Sequence, residues 1–120
     1  MTGLNRALIV IAALLGAAGV ALAAAASHGA DPRLLGNASL MCLVHAPALL
    51  AIVLLSERLR LAWIAGWMLA PGTALFALDL VSRHFRDTGL FPMAAPSGGM
   101  LMIAGWLVLG IGALMSTRRA

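Results

Sequence analysis

Lysine and tyrosine are both absent from this 120-residue chain, there is one cysteine, and only four residues are acidic. Each shortage removes something. Without lysine there is no glycine-rich phosphate loop of the lysine-ended kind, and no nucleophile–base motif stands in the chain either. The lone Cys42 rules out an intrachain disulfide, a paired-cysteine metal site and a two-cysteine haem attachment. Inside an apolar stretch it reads as inert packing. Charged residues make up 10% of the chain and hydrophobic ones 62%. A soluble globule this small leaves much of its surface wet and could not hide so much apolar area. A lipid environment removes that difficulty.

What is present is arginine and long apolar runs. The formal net charge is +4, and all eight basic side chains are arginines. They sit singly or in pairs beside apolar stretches, which is the placement of snorkelling membrane anchors, so no nucleic-acid partner is expected. The apolar runs cover about 7–26, 38–55 (with an earlier start at Pro32 left open), 61–81 and 97–115. Each is near the ~20 residues, at 1.5 Å rise, that cross a hydrocarbon core of about 30 Å. Barrel strands would alternate in polarity and be half as long, so helices are the sensible reading. The expectation is an all-α membrane protein, a bundle of four transmembrane helices forming one membrane domain over 1–120.

The first run, with Arg6 before it and Leu22-Ala-Ala-Ala-Ala-Ser27 at its end, also has the look of a secretory signal. Against that, small residues recur along it at helical spacing, Ala12, Gly16 and Val20 on one line, Ala13, Ala17 and Ala21 on the next. Small residues let transmembrane backbones come close, so a retained helix is expected. Arg6, Arg58, Arg60, Arg118 and Arg119 would lie on one side, Arg33, Arg83 and Arg86 on the other. The arginine excess places both termini in the cytoplasm. The short loop 56–60 makes the second and third helices antiparallel neighbours, and 82–96 is the longest connection. Ile-Ala-Gly-Trp occurs twice, at Ile64–Trp67 and Ile103–Trp106, which reads as a glycine beside a tryptophan that fills the adjacent gap.

Few polar residues interrupt the runs. His45 falls about seven residues, roughly 10 Å, into the second helix. Lipid offers it no hydrogen-bond partner, so it must face protein or water. It is either a structural donor to a nearby carbonyl or a proton relay or haem ligand. Pro47 and Pro71 lack a donor and free the carbonyls of Leu43 and Trp67 as partners for it. His28 precedes Gly29 at the membrane surface. Asp31-Pro32 reads as an N-cap and first helical residue. Asp79 is costly in an apolar run unless paired, and Arg83, four residues on, can pair with it. The sharper alternative gathers Asp79, His28 and His84 into one polar cluster, although their spacing meets no metal template and no metal is assigned. Pro96-Ser97-Gly98-Gly99 opens the fourth helix. Ser97 would cap it, and Gly98 and Gly99 would let a lipid phosphate approach the helix N-terminus.

Taken in order, these segments resemble the small bacterial membrane proteins grouped as domain of unknown function 423, which have a mitochondrial relative. The resemblance runs from about Leu15 to Leu114. It rests on the small residues from Gly16 that end in His28-Gly29, on His45-Ala46-Pro47-Ala48-Leu49, on Gly72 to Phe76, and on Pro96, Gly98 and Gly99 leading to Gly105-Trp106. The chain departs from the family pattern at Ala77-Leu78-Asp79-Leu80-Val81, and at Val44, where a tyrosine is usual. The resemblance implies a four-helix protein of the bacterial inner membrane and two histidines worth testing.

With loops too short for a soluble active site and no catalytic constellation, the expected role is non-catalytic. That role is an accessory or scaffolding subunit without a cofactor, touching membrane lipid and either a larger membrane complex or further copies of itself. A second reading is an oligomeric proton-linked or small-solute transporter using His45. A third is haem or quinone binding between helices.

Overall fold

A computed structural model describes residues 2–116. It has four helices, α1 (Gly3–His28), α2 (Arg33–Leu55), α3 (Ala62–Arg86) and α4 (Ala94–Met115). All four are long and apolar enough to cross a membrane, consistent with a four-helix transmembrane bundle. Arg118 and Arg119, which carry part of the orientation argument, lie outside the described residues.

The helices run past the apolar stretches because their ends are set by local hydrogen bonding rather than by hydropathy. Thr2 accepts from the Asn5 N–H at 3.1 Å and starts α1. Asp31 accepts from the Arg33 N–H at 3.0 Å, and the Pro32 carbonyl takes the Gly36 N–H at 2.7 Å. α2 thus starts well before residue 38, with Pro32 rather than Asp31 at the N-cap position and Arg33 as the first helical residue, one later than the sequence pattern implies. The polar stretch Ser82–Arg86 is the last turn of α3, not part of a loop. Its arginines and histidine sit where cations oppose the helix dipole favourably. At α4, Pro96 lies in the first turn, where a missing N–H costs nothing, so the helix opens at Ala94. The connection expected over 82–96 therefore shrinks to 87–93.

Packing is uneven. α2 and α3 form the centre, with 44% and 50% of their most apolar windows buried, against 22% for α1 and for α4. α1 lies on α2 and touches α3, α4 lies on α3, and α1 and α4 do not approach each other. Leu8, Leu35, Leu49, Ile52 and Leu69 are almost fully enclosed between these helices. The α3–α4 contact is backbone on backbone. A methyl at Gly98 would stand 2.7 Å from both the Gly72 carbonyl oxygen and the Phe76 nitrogen. Gly66 makes room for Leu8 and Ile52, and Gly105 for Leu69, so in both copies of Ile-Ala-Gly-Trp the glycine admits an aliphatic neighbour. Across α1 and α2 the Ser39 hydroxyl donates to the Gly19 carbonyl at 2.7 Å.

At the end where α1 starts and α4 finishes, Asn5 Nδ2 donates to Ser56 Oγ at 3.2 Å, and the Arg60 N–H donates to Ser116 Oγ at 3.2 Å. These bonds tie α1 and α4 to the α2–α3 loop.

Candidate functional site

Because α2 starts at Arg33, His45 lies about 18 Å along it at helical rise, not 10 Å. Trp106 lies about the same distance into α4. Both helices run away from the same end of the bundle, so these side chains meet at mid-depth. The Trp106 Nε1–H donates to His45 Nε2 at 3.1 Å, with ring centroids 5.8 Å apart. His45 Nδ1 stands 2.8 Å from the Met41 carbonyl oxygen, one turn back on its own helix. This corrects the expectation that Leu43 or Trp67 supplies the partner. A helical side chain leans toward the N-terminal turn, which puts the i−4 carbonyl in reach.

The partners assign the proton. A carbonyl can only accept, so Nδ1 carries the hydrogen. An indole N–H can only donate, so Nε2 carries the lone pair. A neutral imidazole satisfies both at once, without water.

Beside this pair is a cleft of about 330 Å³ between α2 and α4. Phe76 of α3 is its floor, Met41 and Met102 form its walls, and Gly99 and Ile103 continue it toward the 87–93 end. It exists because α2 and α4 make no close backbone approach, so the His45–Trp106 bond spans a gap. His45 is 4% exposed while Trp106 is 42% exposed: one partner is held and the other faces outward.

Asp79 is built differently. It is fully buried. Its Oδ2 accepts from Arg83 Nε at 2.9 Å, and its Oδ1 accepts from the Leu90 N–H at 2.8 Å. Ser82 Oγ, on the same turn, donates to the Thr88 carbonyl at 2.7 Å. A methyl at Gly89 would stand 2.5 Å from Asp79 Oδ1, so the loop lies directly on the carboxylate. The i,i+4 pair expected from the sequence is present. The loop contact had no sequence signal beyond Gly89 itself. This cluster holds the α3–α4 connection down and leaves no opening for a ligand.

The remaining candidates are scattered. His28 is the exposed last residue of α1. His84 is half-buried and meets the edge of Phe85, at 4.8 Å between centroids. Asp79, His28 and His84 do not form the cluster considered above. Among the described residues no three His, Cys, Asp or Glu side chains could share a metal ion. Ser97 does not cap α4, because the helix has already begun and the Ser97 N–H donates to the Met93 carbonyl at 2.9 Å. Gly98 faces α3 rather than a head group, and Gly99 lines the cleft. The anion-binding turn expected at 97–99 is thus helical backbone whose buried glycine belongs to the helix crossing.

Comparison with known proteins gives the chain its relatives. The profile of the family described as "Protein of unknown function (DUF423)" matches residues 15–99. A UPF0382 membrane protein of Staphylococcus epidermidis is 30% identical over 115 residues, covering 88% of this chain and 93% of that protein. Another UPF0382 membrane protein, from Staphylococcus saprophyticus, is 29% identical over 113 residues, covering 87% and 93%. No solved structure matches the chain.

Proposed function

The chain belongs to the DUF423 family of small multi-pass bacterial membrane proteins, and from that premise we propose that it is a non-catalytic accessory or scaffolding subunit of the inner membrane. One observation carries this reading. On α1 the Ala13, Ala17 and Ala21 line is exposed, while the neighbouring Ala12 and Gly19 pack inward against the bundle. Small residues at every fourth position let a transmembrane helix come within backbone contact, and lipid tails gain nothing from that shape. The occupant is a helix of a larger membrane complex. Outward Leu14, Leu54, Leu107 and Leu114 are lipid-facing.

Mass spectrometry of protein gently extracted from its own membranes tests this. A stoichiometric protein partner that is lost from Ala17→Leu is expected. A monodisperse protein carrying only lipid, in wild type and variant alike, would refute it, and a homo-oligomer would replace the complex by further copies of this chain.

Both termini are assigned to the cytoplasm, supported by Arg6, Arg58 and Arg60 exposed at one end together with Arg118 and Arg119 in the sequence. A reporter fused at the C-terminus and active only outside the cytoplasm should stay silent. The mid-depth position of His45 favours a second reading, a proton-linked or small-solute transporter. Flux in proteoliposomes that vanishes in His45→Ala is its test, and no flux of protons, common ions or small neutral solutes sinks it.

A further inference from the structure

We propose that the cleft between α2 and α4 binds a membrane-soluble ring carrying a hydroxyl group, of the phenol or quinol class, with that hydroxyl inserted between His45 and Trp106. The inference is independent of what covers α1.

Three features lead to it. The first is depth. The cleft begins at mid-membrane and runs about 10 Å along α4 from Trp106 to Gly99, at helical rise. Whatever enters must be soluble in lipid. The second is size and lining. A volume of about 330 Å³ is at the small end of ligand sites and far short of a helix about 10 Å across. Besides His45 it is lined by Phe76, Trp106, Met41 and Met102, with Ile103 and Gly99 beyond them. Flat rings and thioethers of this kind stack on or edge against another ring.

The third feature is the polarity of the pair. The Met41 carbonyl holds the Nδ1 hydrogen, so Nε2 of His45 is a fixed acceptor. Trp106 Nε1–H is a fixed donor. Together they offer one acceptor and one donor at a single point in an otherwise apolar cleft. A hydroxyl is the complement, since it gives one hydrogen and accepts one. It would donate to His45 Nε2 and accept from Trp106 Nε1, replacing one internal hydrogen bond by two. A carbonyl or an ether could satisfy only Trp106 and would strand the imidazole lone pair, which is expensive without water.

The bundle can make room. At ordinary hydrogen-bond lengths the inserted oxygen parts the two nitrogens by about 1.5 Å. Trp106 is half-exposed, and no backbone contact between α2 and α4 resists that movement. His45 stays in place through Met41.

The test uses the full chain in lipid nanodiscs and two probes, a fluorinated 4-alkylphenol and its methyl ether, followed by fluorine NMR. A saturable shift for the phenol, with at least tenfold weaker binding of the ether, is expected. His45→Phe should bring the phenol down to the level of the ether. Trp106→Phe, which removes the donor and keeps the acceptor, should weaken the phenol yet preserve its advantage over the ether, so a lost site is separated from a lost fold. Equal binding of the two probes by the wild-type protein overturns the proposal, as does phenol binding that His45→Phe leaves unchanged. Either result makes the cleft a groove for hydrocarbon chains alone.

Discussion

Asp79 and His45 are both buried ionisable side chains on transmembrane helices, and the bundle treats them in opposite ways. Asp79 sits about 10 Å from the end of α3 at helical rise, and both carboxylate oxygens are taken by its own helix and the following loop. His45 sits at mid-depth and spends its second nitrogen on a tryptophan from a helix whose backbone does not approach its own. The first arrangement is closed by chain connectivity, since Arg83 and Leu90 cannot move far from Asp79. The second is closed only by a side chain that faces outward. Burial of a polar group therefore does not by itself distinguish structure from function. What separates the two is whether the partner can be displaced without unfolding anything.

The largest expected effect breaks the closed member. Asp79→Ala leaves the Leu90 N–H and the Arg83 guanidinium without their acceptor and frees the 87–93 loop. Losing one partner of a buried charged pair costs about 3 kcal/mol at the low end of such cases, and the part-exposed Arg83 keeps the effect there. Reversible unfolding in bicelles should show that loss, with Asp79→Asn recovering part of it because the amide oxygen still accepts from Leu90. A loss below about 0.5 kcal/mol would make the cluster incidental.

The same cluster can be disturbed without touching a charge. Gly89→Ala places a methyl 2.5 Å from Asp79 Oδ1, and overpacking of this kind costs about 1–3 kcal/mol. Combined with Asp79→Ala, it should cost less than the sum of the two, because the second change acts on a contact already lost. Strict additivity in that double-mutant cycle would place the strain elsewhere.

At the open member the expected effect on stability is smaller. Hydrogen bonds between transmembrane helices average about 0.6 kcal/mol. Trp106→Phe should destabilise by about that amount and leave the remaining contacts of α4 on α3 as they are. A loss of 2 kcal/mol or more would mean that the pair is a structural clamp like Asp79, and the distinction between the two sites would collapse.

Much of this was legible in the sequence, and the parts that were not share a cause. Four helices, their number and rough positions followed from apolar runs of membrane length. Helix ends did not: Asp87 closes α3 at positive φ without being glycine, so the usual stop signal is missing there, and Leu61 and Met93, at positive φ before α3 and α4, are apolar residues that give no start signal. Misplacing the start of α2 had a consequence for the site. With α2 opening at residue 38, His45 lies about 10 Å into the helix instead of about 18 Å. Asp31-Pro32 carried the information needed, since a helix start there moves His45 to mid-depth. The Asp79–Arg83 pair was visible because it lies within one helix. The Leu90 contact and the cleft were not, because they depend on which helices stay apart, and hydropathy is silent on that.

The smallest expected effect on stability belongs to Ala17 on α1, a helix where the same contrast between a filled and an unfilled contact recurs without polar groups. Gly19 is inside, with a methyl there reaching the Leu43 side chain at 2.7 Å, whereas Ala17 is outside. Gly19→Leu should push α1 off α2 and destabilise by about 1–3 kcal/mol. Ala17→Leu should change unfolding by no more than about 0.5 kcal/mol, since leucine in lipid is at home there. If Ala17→Leu nonetheless removes an associated protein or dissociates an oligomer, the outer line of alanines is a contact surface held open for a partner. If association survives, Ala17 faces only lipid, and the pairing of α1 with anything beyond this bundle must run along another face.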